Sequence, residues 1–173
     1  MESKQNYIVM KSPLGPLMLT SNGEALTGLH MTPHPPRGSG VAREDEVLKA
    51  TKLQLRDYFK GTLKAFEVPL LFSAGTAFQQ KAWQCLTQIP YGVTWTYQQQ
   101  AKRLGDAKAT RAVGSANGQN PISIIVPCHR VVGANGSLIG YGGGLERKRK
   151  LLRHESKFAG PGRFKDSPQL SWW

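Results

Sequence analysis

The apolar periodicity of the chain changes at Ser73-Ala74-Gly75, and that change limits the folds open to it. Before the break, apolar residues run in short extended stretches: Tyr7 to Met10, Leu17 to Thr20 and Ala25 to Leu29. Asn22-Gly23 lies between the last two, and Asn-Gly between extended runs is a strong hairpin signal because both residues tolerate positive φ. Thr32 to Gly40, with Pro33, Pro35 and Pro36, reads as a loop. Glu44 to Phe59 reads as a helix: Val47, Leu48, Thr51, Leu55, Tyr58 and Phe59 share one face, and Gly61 ends it. Phe66, Val68 and Leu70 alternate as a short strand.

After the break the signals are helical. Thr76-x-x-Gln79 and Thr96-x-x-Gln99 are capping boxes, in which the two side chains satisfy each other's backbone amides at a helix start. The first helix turns Phe78, Ala82, Cys85, Leu86 and Ile89 inward and stops at Pro90-Tyr91-Gly92. The second runs through Leu104 to Gly105, and a third spans about Lys108 to Asn117. Two short helices joined by a glycine-containing turn read as a helix-turn-helix. A last helix runs from about Leu145 to His154, with Leu145, Leu151 and Leu152 inward. The expected fold is α/β in the α+β sense. Residues 1–75 form a small β-sheet domain with a flanking helix. Residues 76–156 form a mainly helical, winged-helix-like domain carrying the helix-turn-helix. Residues 157–173, ending in Trp172-Trp173, form a flexible tail.

Charge narrows the partners. Lys and Arg total 23 against 11 Asp and Glu, a formal net charge of +12. That excess predicts attraction to a polyanion, nucleic acid ahead of anionic membrane. Two cysteines make no disulfide framework, and neither Cys-x-x-Cys nor paired-histidine spacing is present for structural zinc. The first residues carry no apolar run of signal-peptide length, and no stretch is long enough to span a bilayer. The expectation is a cytoplasmic protein with no membrane contact and no metal.

Of the two cysteines, Cys85 shares a helix face with Phe78, Ala82 and Leu86 and reads as a small buried hydrophobe. Cys128 stands in Pro127-Cys128-His129-Arg130, after the apolar, strand-like run Ile122 to Val126. A free thiol titrates near pH ~8.5 and nearby cations lower that value, so this setting predicts an activated sulfur. The third helix is built from residues that are nearly all small: Ala109, Thr110, Ala112, Gly114, Ser115, Ala116 and Asn117. A helical glycine costs roughly 1 kcal/mol against alanine, so something offsets it. A small face permits close approach to a neighbouring helix or, with Arg111 projecting from it, to a nucleic-acid groove. The basic run Arg147, Lys148, Arg149, Lys150 and Arg153 reads equally as a solvated face or as phosphate contacts. Gly140-Tyr141-Gly142-Gly143-Gly144 offers exposed amides that could line a pocket for a planar ligand.

Taken in order, these residues resemble the O6-alkylguanine-DNA alkyltransferase family. The match runs from about Thr76 to Glu155 through Phe78 to Trp83, Tyr97-Gln98-Gln99, Arg111-Ala112-Val113-Gly114, Asn120-Pro121, Ile125 to Val131, Gly140-Tyr141-Gly142-Gly143 and Leu151-Leu152-Arg153-His154-Glu155. Ser12 to Leu17 and Tyr58-Phe59-Lys60-Gly61 match more loosely. The resemblance implies direct-reversal DNA repair. The alkyl group of O6-alkylguanine, and of O4-alkylthymine, would pass irreversibly to Cys128 after base flipping, once per molecule and with no cofactor. It implies that His129 takes the thiol proton through a water, oriented by Glu155, and that Asn120 braces the turn. Tyr97 would crowd the phosphate backbone and hydrogen-bond the guanine edge. Arg111 would fill the gap left by the base. Gln98, Thr110, Ser115 and Arg130 would join it against the minor groove of double-stranded DNA. Backbone at Cys128, Val131 and Gly142, with Tyr141, would hold the base, and the protein would act as a monomer. The chain lacks the N-terminal cysteines with which some relatives hold zinc. It has cysteine where non-transferring relatives carry tryptophan. Two other readings stay open: a sensor that binds alkylated bases without repairing them, and a cysteine hydrolase using Cys128 and His129.

Overall fold

The computed structural model describes residues 5–35, 38 and 40–160. Its chain divides into two compact units: one reaches Ala74 and includes Pro121–Ser123, the other comprises Gly75–Asn120 and the chain from Ile124 onward.

The first unit holds a four-stranded sheet in the order β3-β2-β1-β4. β1 (Asn6–Met10), β2 (Leu17–Ser21) and β3 (Leu26–His30) are antiparallel neighbours, and β4 (Val41–Ala42) joins β1 in parallel. The β2–β3 turn forms because the Asn22 carboxamide oxygen accepts from the backbone N–H groups of Glu24 and Ala25 at 3.0 and 2.8 Å. α1 (Glu46–Lys60) starts two residues later than expected, because Asp45 rather than a residue before it caps the helix. Gly61, at φ 81°, closes it in the left-handed region. Leu48, Thr51, Leu55 and Tyr58 are its buried stripe.

The strand expected at Phe66, Val68 and Leu70 is absent. Leu70 makes a single bridge to Leu26, where the Leu26 N–H donates to the Pro69 carbonyl at 2.8 Å. Residues 66, 68 and 70 are half-buried and their neighbours exposed, so the alternation is real. No ladder forms around it, and Pro69 has no N–H to extend one.

The second unit contains α2 (Ala77–Leu86), β5 (Trp95–Thr96), α3 (Tyr97–Arg103), α4 (Thr110–Gly118), a 3₁₀ turn at Cys128–Arg130, β6 (Val131–Val132) and α5 (Leu145–Ala159). Both capping boxes form with their reciprocal bonds. β5 and β6 pair in parallel. α3 and α4 are locked by two buried carboxamides: Gln100 Nε2 donates to Asn117 Oδ1 at 3.0 Å and Asn117 Nδ2 to Gln100 Oε1 at 2.7 Å. Gln100 Nε2 also reaches the Ala82 carbonyl on α2 at 3.2 Å, so one side chain ties three helices.

Phe78 and Leu145, expected inward, lie in the first turns of their helices and remain exposed. Trp83 supplies the buried aromatic of α2 instead, its indole N–H donating to the Ala116 carbonyl at 2.7 Å. α5 runs past His154 to Ala159, so the first residues of the expected tail are helical. The rest of that tail, 161–173 with Trp172-Trp173, lies outside the described residues.

Candidate active site

The apolar residues Ile122, Ile124, Ile125 and Val126 are buried, as their composition requires, but the run folds as turns rather than a strand. Ile124 takes φ 72°, a conformation that β-branched residues avoid. Asn120 holds this loop: its Nδ2 donates to the Val126 carbonyl at 2.8 Å and to the Cys128 sulfur at 3.3 Å. The Cys128 N–H turns back to the Val126 carbonyl at 2.9 Å in a γ-turn, and the Arg130 N–H closes the 3₁₀ turn that follows on the Pro127 carbonyl at 3.0 Å.

Cys128 lies on a cavity of about 180 Å³ lined by Tyr97, Gly114, Asn117, Gly118, Gly140, Tyr141 and Gly142. A cavity of roughly 150 Å³ holds one aromatic ring, so this space fits a single planar base better than an extended ligand. The glycines give it its walls: a Cβ at Gly142 would stand 3.2 Å from the Gly118 carbonyl oxygen. The side chain of Val131 is fully buried in β6, so only its backbone is left for the base. Asn117 and Gly118 at the end of α4 also line the cavity.

The residues flanking the thiol are both tied to Glu155. His129 is fully buried and its Nε2 lies 2.7 Å from Glu155 Oε1. Arg130 donates from Nε to Glu155 Oε2 and from Nη2 to Oε1, both at 2.9 Å, and from Nη1 to the Ile89 carbonyl at 2.6 Å. Arg130 is therefore buried structure and not a phosphate contact, contrary to expectation. Burial alone would raise the Glu155 carboxyl, but the His129 and Arg130 bonds hold it well below the usual carboxylate range. An ionised carboxylate only accepts, so Nε2 of His129 carries the proton and Nδ1 keeps its lone pair. Nδ1 is buried and has no protein hydrogen-bond partner, which leaves it as the basic nitrogen.

Electrostatics corrects a second expectation. Burial pushes the Cys128 thiol up, and the Asn120 bond and the Lys148 charge do not reverse it. The site holds its sulfur as a thiol until something draws the proton off. The cation that acts on it is Lys148, from the run read as solvated or phosphate-binding, and its side chain is fully buried. Its position could have been read: Lys148, Leu151, Leu152 and Glu155 follow the i, i+3, i+4, i+7 spacing of one helix face.

Tyr97, at the start of α3, donates from its hydroxyl to the Ile139 carbonyl at 2.7 Å, and burial pushes its pKa up to about 12. The Tyr141 hydroxyl is buried without a hydrogen-bond partner, and burial raises its pKa well above the ordinary value. Arg111, Gln98 and Ser115 are exposed on α3 and α4, and Thr110 is half-buried at the start of α4. Gly114 sits on α4 with Tyr97 as its nearest packed neighbour, 3.8 Å from where a Cβ would stand.

Residues 6–72 match the family model for the 6-O-methylguanine DNA methyltransferase ribonuclease-like domain, and residues 77–157 match the model for its DNA binding domain. A methylated-DNA–protein-cysteine methyltransferase of Mycobacterium leprae is 49% identical over 148 residues, covering 84% of this chain and 89% of its own. One from Methanosarcina acetivorans is 46% identical, covering 86% and 97%. The crystal structure of Mycobacterium tuberculosis OGT in complex with DNA superposes with a TM-score of 0.82 at 46% identity, over 88% of this chain and 94% of that one.

Proposed function

The chain belongs to the 6-O-methylguanine DNA methyltransferase family of alkyl-transferring DNA-repair enzymes, and we propose that it removes the alkyl group of O6-alkylguanine, and of O4-alkylthymine, in duplex DNA by transferring it to Cys128. The observation that carries this reading is a buried thiol on a cavity of about 180 Å³ beside a helix-turn-helix with Arg111 exposed on it. A base inside a duplex cannot reach such a sulfur. It must be extruded, at a cost of a few kcal/mol. Arg111 on α4 fills the gap, and the small residues around it let the helix approach the minor groove.

Once the base is bound, Cys128 gives its proton through one water to His129 Nδ1, and Glu155 stabilises the imidazolium that forms. The thiolate attacks the alkyl carbon, so a sulfur–carbon bond forms. The carbon–O6 bond breaks with its electron pair on oxygen. Guanine leaves as its anion, steadied at N3 by the Tyr97 hydroxyl, which turns there from the Ile139 carbonyl, and then takes up the proton that His129 accepted from the thiol. The elevated pKa of Tyr97 keeps it a neutral donor throughout. The thioether has no carbonyl for water to attack, so the reaction ends after one turnover.

The test is intact mass after incubation with duplex DNA holding one O6-methylguanine, followed by peptide mapping. The expected result is one methyl group on Cys128, restored guanine and no second turnover. An unchanged mass with tight lesion binding would make the protein a sensor. Multiple turnover of an ester would make it a hydrolase.

A further inference from the structure

Burying an ammonium group costs several kcal/mol unless it is paired. Lys148 is fully buried, yet its hydrogen-bond partners are all neutral: the Ile139 carbonyl at 3.0 Å, the Gly140 carbonyl at 3.2 Å and the Tyr97 hydroxyl at 3.4 Å. Among the described residues no carboxylate lies within ion-pairing distance of it. Of the two carboxylates on the same helix, Glu155 is taken up by His129 and Arg130 and Glu146 by Arg149. Structure of this kind is costly at rest and is repaid when negative charge appears beside it. The reaction creates such a charge on the Cys128 sulfur.

We propose that Lys148 is a positioning residue of the transfer reaction: its ammonium is the counter-charge of the Cys128 thiolate, and its three hydrogen bonds fix the cavity wall against which the alkylated base is held. This rests on Cys128 being the alkyl acceptor. The wall is built as the proposal requires, because Gly140 and Tyr97 both line the cavity and both are bonded to Lys148. Attraction between the two groups is mutual: burial lowers the Lys148 pKa to about 8 while Cys128 raises it, and Lys148 in turn lowers that of Cys128 against burial. The other titratable groups near the pair do not supply the charge. Tyr97 from α3 and Tyr141 from the loop before α5 are neutral, with elevated pKa values. Burial lowers the His129 pKa, and Arg130 is neutralised by Glu155.

Lys148→Met keeps the length of the side chain and removes its charge. The measurement is the pH dependence of Cys128 carboxymethylation by iodoacetamide, without DNA, mapped by mass to the Cys128 peptide. A variant with wild-type melting temperature and wild-type affinity for undamaged DNA is expected to titrate at least one pH unit higher. Each unit is a tenfold loss of thiolate, so alkylation at pH 7 slows about tenfold or more. A pH profile identical to wild type overturns the proposal. If the Met variant does not fold, 13C NMR of lysine-labelled wild type and Cys128→Ser decides. The Lys148 titration is expected to move down when the sulfur is removed, and an unmoved titration overturns the proposal. Failure of the parent reading is seen separately, as absence of methyl from Cys128 in the wild-type protein.

Discussion

Replacing Glu155 with Gln preserves the shape of a wholly buried side chain and removes its charge. Glu155 accepts from His129 Nε2 at 2.7 Å, from Arg130 Nε and Nη2 at 2.9 Å each, and from the Gly92 N–H at 3.4 Å. A glutamine offers one oxygen in place of two and turns an NH₂ group toward donors that already point inward. The Arg130 guanidinium then stays buried without a counter-charge. Breaking a buried pair from one side costs about 3–5 kcal/mol. For a chain of 173 residues, that corresponds to a fall in melting temperature of about 6–20 °C, at about 2–4 °C per kcal/mol. The amide also presents a donor to His129 Nε2, which drives the ring proton to Nδ1 and removes the base. Alkyl transfer should therefore fall by roughly 10²–10⁴-fold, the usual contribution of a general base. The assays are urea denaturation and single-turnover transfer from a methylated duplex. A double variant, Glu155→Gln with Arg130→Met, should be more stable than the sum of the single effects predicts, because it leaves no guanidinium unpaired. A single variant within 2 °C of wild type, or double-variant effects that add within about 0.5 kcal/mol, would refute this account of the network.

Other substitutions separate stability from function. Glu155 has a folded pKa below its unfolded value of about 4.3, so the stability it contributes is full above that pH and is lost as pH falls through the folded value; acid titration of Glu155→Gln should lack this loss. Cys128→Ser should abolish transfer while leaving DNA affinity within about threefold, measured by fluorescence anisotropy. Arg111→Ala should slow repair of duplex DNA more than reaction with the free O6-alkylated base; equal slowing counts against its place in the duplex. Gly114→Ala should raise stability by up to about 1 kcal/mol through helix propensity while slowing duplex repair, since the new methyl enters the cavity wall. At Ile124, with φ 72°, glycine should be more stable than alanine by about 1–2 kcal/mol, the reverse of the usual order; urea midpoints decide it.

Much of the fold was legible where local chemistry fixes it. Asn22-Gly23 marks its turn, and each Thr-x-x-Gln sequence caps its helix, because these signals act within four residues. Elements defined by distant partners were not legible. β4 is two residues long and exists by pairing with β1 across a proline-rich loop. The Ile122 to Val126 run reads as a strand from composition alone, since nothing in the residue names shows that Asn120 will take the Val126 carbonyl and leave Ile124 at positive φ. In the candidate site, Cys128 stood out from its neighbours, whereas the places of Asn120, Tyr97 and Glu155 came from resemblance. Arg130 was misplaced because sequence adjacency to a cysteine says nothing about which way a side chain points in a 3₁₀ turn.

That error bears on how the sulfur works. A thiol flanked in sequence by His and Arg suggests a permanently activated nucleophile. Such a nucleophile would be consumed by any passing electrophile or oxidant, since susceptibility follows thiolate character and exposure. On the proposed function the sulfur is used once, and a protein of that kind has the most to lose from that. The structure separates the two requirements. Burial keeps Cys128 protonated, and Glu155 neutralises Arg130 while setting His129 as a base rather than a cation. Activation is left to the surrounding groups: Nδ1 of His129 as proton acceptor, Asn120 on the sulfur and the charge of Lys148 acting on it. On this account protection and activation of the thiol are separate: burial disfavours the thiolate, and Asn120, Lys148 and His129 are placed to offset that cost when the proton leaves.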